Sequence, residues 1–232
     1  MFKIDKVTKY YHNKKVLDNI CFEIKKGSCV GLIGESGSGK STLAKIILGI
    51  EKANFGNILK YETYSSSVVF QDYNSSVNPS FTVFEILNEP FWSTYKKLDK
   101  QKAILLLRSV ELEESILQKY PHELSGGQLQ RVCIARATAN KPDFLVLDEV
   151  LSSLDVLNQI EIINLLKKIK EQNSITYLFI THNLESVFSL CDKLLVIKEG
   201  KILDDISIYD FKKENINPYT KQLFNTIIAQ KF

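Results

Sequence analysis

Four short runs of unbroken apolar residues constrain the fold of this chain more than any other feature. They are "CVGLIG" at 29–34, "SVVF" at 67–70, "FLVL" at 144–147 and "TYLFI" at 176–180. A strand with one face in water alternates apolar and polar residues. An unbroken run instead predicts a strand covered on both faces, as in a parallel sheet with helices on each side. Helical patterns lie between the runs. "KSTLAKIILGI" follows the first and is closed by Gly49, and "VLNQIEIINLLKKIKEQN" at 156–173 carries Val156, Ile160, Ile163 and Leu166 on one stripe. The reading is an α/β fold with a mostly parallel sheet.

The flanks add detail. Ile20, Phe22 and Ile24 alternate with polar or small residues, which predicts N-terminal strands with a turn at 25–27. "LLVIKEGKILDD" predicts a hairpin turning at Glu199-Gly200, and the tail reads as helical after Pro218. Residues 75–140 are helix-rich and hold Pro79, Pro90 and Pro121, three of the five prolines. They are expected to form a helical subdomain inserted into a core made of residues 1–74 and 141–232.

Composition narrows the class. At 232 residues, 44% hydrophobic and 25% charged, the chain is that of an ordered globular protein. A net charge of +3, with both signs mixed along the chain, gives no nucleic-acid footprint. The four cysteines show no metal-type spacing and sit among apolar neighbours, so buried thiols are expected rather than metal ligands or disulfides. The start "MFKIDK" lacks the apolar core of a signal peptide, and no apolar run approaches the ~20 residues of a membrane span. A soluble, cytoplasmic chain that can dock on a membrane protein is expected.

All four apolar runs end in residues suited to phosphate or metal. The first enters Gly34-Glu35-Ser36-Gly37-Ser38-Gly39-Lys40-Ser41-Thr42, which fits G-x-x-x-x-G-K-[ST] in its strand–loop–helix setting. Glycines let the backbone wrap so that its amides face phosphate oxygens, and the helix start adds a favourable partial charge. Lys40 is placed for the β- and γ-phosphates, Ser41 for Mg²⁺ and Thr42 for the α-phosphate. The second run ends at Gln71, the third at Asp148-Glu149 and the fourth at Thr181-His182. In open α/β sheets ligands sit beyond the carboxyl ends of the strands. Asp148 suits Mg²⁺ held through water, Glu149 suits activation of an attacking water, and Gln71 and His182 are candidates for sensing water, metal and γ-phosphate. A fifth stretch, Leu124-Ser125-Gly126-Gly127-Gln128, opens a helix. Ser125 and Gln128 have capping-box spacing, which leaves the two glycines unexplained.

These stretches, with "SSLD" at 152–155, resemble the Walker A, Q-loop, signature, Walker B, D-loop and switch-histidine motifs of ABC-transporter ATPase subunits, in order and over almost the whole chain. The resemblance implies a P-loop NTPase core with a mostly parallel sheet, an N-terminal antiparallel β-subdomain and the inserted helical subdomain. It implies hydrolysis of ATP with Mg²⁺, and pairing with a second ATPase subunit head to tail. Each ATP would then lie between one Walker A loop and the partner's signature helix. Ser125, Gly126, Gly127 and Gln128 would face the partner's nucleotide, and Asp155 would reach the partner's loop. Tyr11 aligns with the aromatic that stacks on adenine, with Tyr10 adjacent.

The stretches "VVFQDYNSSVNPSFTVFEILNEP" at 68–90 and "INPYTKQLF" at 216–224 are similar to subunits of oligopeptide, dipeptide and nickel importers. This implies permease partners, a substrate-binding protein outside the membrane, and a place on the cytoplasmic membrane face. Phe81, Phe84, Phe91 and Trp92 either line a groove for the permease or pack the helical lobe. Only fourteen residues separate Gly56 from Gln71, and Val150 stands where the family usually has proline. A trimmed β-subdomain follows, and the absence of a C-terminal cysteine cluster points towards nickel or metallophore importers. The rival readings are a non-transport ABC ATPase of the translation or repair type, and a non-catalytic partner subunit.

Overall fold

The computed structural model describes residues 1–92, 98–152, 154–210 and 216–228. Ser153, in the expected D-loop, lies outside the described residues. In chain order the elements begin β1 (Phe2–Tyr11), β2 (Lys14–Ile24), β3 (Cys29–Ile33), α1 (Lys40–Ile47), β4 (Phe55–Lys60) and β5 (Ser66–Val69). There follow α2 (Val83–Asn88), α3 (Lys100–Ser109), α4 (Gly126–Thr138), β6 (Phe144–Asp148) and α5 (Val156–Asn173). The chain continues with β7 (Thr176–Ile180), α6 (Leu184–Leu190), β8 (Lys193–Lys198), β9 (Lys201–Ser207) and α7 (Pro218–Ile228). Two compact units result, Met1–Tyr64 with Thr176–Phe232, and Ser65–Ile175.

The first unit holds an antiparallel sheet in the order β2-β1-β4. Ile20, Phe22 and Ile24 are buried, as their alternation requires, and the same alternation puts Cys21 on the outer face. The expectation of four buried thiols is corrected there: Cys29, Cys133 and Cys191 are buried and Cys21 is exposed. Beside this sheet, β3 runs parallel to β7 and to β8, and β9 returns antiparallel to β8. The return turns at Glu199 (φ 48°) and Gly200 (φ 75°), the paired positive φ of a tight hairpin turn. Every residue of β3 and β7 is buried, which the unbroken apolar runs demand. Leu32 pairs with Ile180, so the Gly34 loop and Thr181-His182 leave the same end of the two strands.

The segment after β3 becomes a helix that stops where the sequence says it should. At the end of α1 the Gly49 amide donates to the Ile46 carbonyl (3.0 Å) and the Ile50 amide to Lys45 (2.9 Å), with Gly49 at φ 76°. This is a Schellman closure, which only a residue tolerant of left-handed φ makes cheaply.

In the second unit β5 and β6 are parallel, with Val69 opposite Leu147, so Gln71 and Asp148-Glu149 also leave a common end. The "SVVF" run is less covered than expected: only Val69 is buried and Phe70 is 43% exposed. The helix at 156–173 has the expected bounds, but its stripe shifts. Ile163 and Leu166 are buried together with Ile162, Leu165 and Ile169, whereas Val156 is 70% and Ile160 51% exposed. The first turns of α5 run past the packed surface before the inward face begins. Phe81, Phe84 and Phe91 are half-buried, and Trp92 is exposed with its ring edge-to-face on Phe81 at 5.7 Å. Among the described residues no helix is long and apolar enough to cross a membrane.

Candidate functional site

Among the described residues five helices begin at a side-chain cap: Thr82, Asp99, Ser125, Asp155 and Asn183 each accept a bond from an amide of the first turn. Helix α1 does not. Its N-cap is Gly39, at φ 107°, and no side chain closes its first turn. The first amides of a helix have no intrahelical partner, so this start offers unpaired donors and a positive end to an anion.

The loop before it fits that use. Lys40 is 6% exposed, and its Nζ donates to the carbonyls of Gly34 and Glu35, both at 2.8 Å. Ser38 is 5% exposed and its Oγ is buried without a hydrogen-bond partner among the described residues. Glu35, Ser36 and Gly37 are exposed at the tip. The loop is held from behind by Gly200 of the hairpin, whose amide donates to the Ser38 carbonyl at 3.1 Å. A Cβ at Gly34 would lie 2.1 Å from the Ile197 carbonyl oxygen. Gly34→Ala is therefore expected to cost about 3 kcal/mol of stability by overpacking, read from urea denaturation. A loss below about 0.5 kcal/mol would show that the loop moves aside freely.

Tyr11 ends β1 and is 40% exposed. Its hydroxyl donates to Glu51, just beyond α1, and Lys9 binds the same carboxylate at 2.9 Å. The bond to Glu51 raises the Tyr11 pKa and lowers that of Glu51, because the phenol proton is shared with a neighbouring negative charge. Thr42 acts in the opposite direction on Tyr11, which puts this aromatic beside the start of α1. His182 is exposed between β7 and α6, next to Asn183, whose amide donates to Thr181 Oγ1 at 3.0 Å.

In the second unit, Asp148 is the last residue of β6 and Glu149 follows in the left-handed region at φ 49°. The Glu149 carbonyl is fixed by the Ser152 amide (3.1 Å) and hydroxyl (2.9 Å). Val150 and Leu151 are buried, so the residue at the family's proline position serves as core. Asp155 caps α5 through the Asn158 amide at 2.9 Å, and that bond is the main cause holding its carboxyl below the usual range.

The capping box at α4 is present: the Gln128 amide donates to Ser125 Oγ at 3.2 Å, and the Ser125 amide to Gln128 Oε1 at 3.0 Å. Gly126 and Gly127 are the first two helical residues, where amides have no intrahelical partner. Both glycines also meet neighbours. A Cβ at Gly126 would lie 2.9 Å from Tyr73 Oη, just after Gln71, and one at Gly127 would lie 3.9 Å from Asn158 Oδ1 beside the Asp155 cap. The structure thus gathers Gln71, Asp148, Glu149, Asp155 and the signature stretch in one unit, and the Walker A loop, Tyr11 and His182 in the other.

Two contributors escaped sequence reasoning. Gln130, buried on α4, donates through Nε2 to the Val150 carbonyl and so ties the signature helix to the segment after Glu149. A glutamine on the inward side of a helix was the available signal. Tyr219 of α7 donates to Glu35 Oε1 at 2.9 Å, and nothing local announces it. Among the described residues no group of three His, Cys, Asp or Glu side chains could hold a metal.

A glycine loop, an uncapped helix start and an orphaned buried hydroxyl define a P-loop nucleotide-binding protein. The chain matches the family described as ABC transporter over residues 17–152. It is 39% identical over 243 aligned positions to the metal-staphylopine import system ATP-binding protein CntF of Staphylococcus aureus, covering 96% of this chain and 97% of that one. It is 41% identical over 211 positions to the nickel import ATP-binding protein NikE of Escherichia coli, covering 84% and 79%. Among solved structures, the dimeric, ADP- and phosphate-bound cassette MJ0796 superposes with a TM-score of 0.81 at 29% identity, over 90% of this chain and 99% of that one. The chain belongs to the ABC transporter family. It has the family's cassette fold and is an ATPase that powers transport.

Proposed function

We propose that this chain is one of two ATPase subunits of an importer for nickel or another metal carried as a metallophore complex. It would work from the cytoplasmic membrane face beneath permease subunits fed by an extracytoplasmic binding protein. The names of the two relatives support the cargo class, and the near full-length match to CntF favours the metallophore form.

The observation that carries the nucleotide reading is the set of open amides at two helix starts. Helix α1 lacks any side-chain cap, and the capping box of α4 leaves the amides of Gly126 and Gly127 for an outside acceptor. Both present positive ends, and one chain's polyphosphate held between its own α1 and a second copy's α4 would satisfy both. Lys40 would exchange its two loop carbonyls for the β- and γ-phosphates. Ser41, Gln71 and Asp148 would hold Mg²⁺, which supplies charge neutralisation on the phosphates. Glu149 would accept the proton of the attacking water, with Gln71 and His182 orienting that water. Tyr11 would stack on the base, and Thr42 would meet the α-phosphate. Asp155 would contact the partner's phosphate loop. Residues 75–140, with Phe81, Phe84, Phe91 and Trp92, would receive the permease.

Exposure decides how to test the sandwich. Ser36 is exposed, Gly127 has room for a side chain, and Cys21 is the exposed thiol to remove. A chain carrying Cys21→Ser, Ser36→Cys, Gly127→Cys and Glu149→Gln is expected to form a disulfide-linked dimer only with MgATP, alone or mixed with a paralogous cassette. Crosslinking that ignores nucleotide, or none in either mixture, overturns the head-to-tail site.

A further inference from the structure

Helix α7 is seated on three separate parts of the first unit. Thr220, fully buried, donates its hydroxyl to Asp204 of β9, and the Asn217 amide reaches the same carboxylate at 3.2 Å. Phe224 is buried with its ring 5.7 Å from Phe188 on α6, the helix that follows His182. Beside the first anchor, Tyr219 reaches the phosphate loop. Its amide donates to Asn217 Oδ1 at 3.0 Å, its ring lies 4.1 Å from Lys198 Nζ, and its hydroxyl donates to Glu35 Oε1 at 2.9 Å.

Glu35 is an awkward residue for its place. It is exposed at the tip of a loop whose other features attract anions, and its backbone carbonyl is one of the two that hold Lys40 Nζ. A carboxylate free to swing over that loop would repel an incoming polyphosphate, and like charges a few ångströms apart near a surface interact appreciably. We infer that Tyr219 is a positioning residue for nucleotide binding: it pins the Glu35 carboxylate against α7, away from the phosphate path, so that ATP affinity depends on the C-terminal helix being docked.

The Tyr219 hydroxyl is a durable donor. Burial first, and the bond to Glu35 second, push its pKa up to about 12, so the proton stays in place throughout the neutral range. The Lys198 ammonium over the ring face holds the Tyr219 side chain by a cation–π contact. A hydroxyl given up by the helix would leave that carboxylate to find water or the loop.

The inference rests on the nucleotide-binding role proposed above, and the test separates the two. MgATP affinity is measured by calorimetry on the full chain for the parent, Tyr219→Phe, Glu35→Gln and the double variant. Tyr219→Phe keeps the ring on Lys198 and is expected to weaken MgATP binding about five- to tenfold, with a thermal midpoint within about 2 °C of the parent. Because the harm comes from a freed negative charge, Glu35→Gln should suppress it, leaving the double variant within about twofold of Glu35→Gln alone. The Tyr219→Phe defect should also shrink at high salt. Tyr219→Phe binding as tightly as the parent overturns the inference, as does a double variant that keeps the full defect, which would mean a merely structural helix. A parent chain that does not bind MgATP overturns the nucleotide reading itself.

Discussion

Glu149→Gln will lower steady-state ATP turnover by about 10²- to 10⁴-fold, the span that general-base catalysis contributes, while MgATP binding persists. The substitution removes the basic oxygen and the negative charge while keeping the size and shape of the side chain. Glu149 is partly exposed just past the end of β6, and its backbone is fixed through its carbonyl by Ser152, a restraint that the substitution leaves in place. A nucleotide that binds but is not hydrolysed should also hold the dimer closed, visible as a shift to twice the mass in gel filtration with MgATP. Turnover within threefold of the parent would assign the proton to another group, and Asp148 at the end of the same strand would be the first to try.

Lys40→Ala is expected to weaken MgATP binding by at least about 100-fold, roughly the worth of one or two charge-assisted hydrogen bonds. Lys40 is almost fully buried with its ammonium on two loop carbonyls, so the loop already places a positive charge where the phosphates would lie. Lys40→Arg should not restore affinity, because a planar fork of greater bulk does not replace a compact point charge in a buried loop. Binding by Lys40→Ala within tenfold of the parent would mean that the α1 amides alone hold the nucleotide.

Much of this was readable from the sequence because its signals are local. Gly49 closing α1, Glu199-Gly200 turning the hairpin and Ser125 with Gln128 capping α4 each act over fewer than six residues, and each is found as expected. The buried strands β3 and β7 were legible for a related reason, since only a strand covered on both faces can afford an unbroken apolar run. The failures are long-range. Val156 and Ile160 fit a helical stripe but lie where α5 has run past its packing surface, and periodicity carries no information about where a surface ends. Cys21 looked buried by its neighbours, yet strand alternation turned it outward. The Tyr219–Glu35 bond joins residues 184 positions apart, and the Gln130–Val150 bond depends on how a helix docks behind a strand end. Polar partners of that kind exist only once the chain has folded.

The backbone at Glu149 carries a wider consequence. A glutamate at φ 49° sits in a region that costs an ordinary residue roughly 1–2 kcal/mol and glycine almost nothing. Redesign for heat tolerance that placed glycine at this spot would relieve the backbone and delete the proposed base with it.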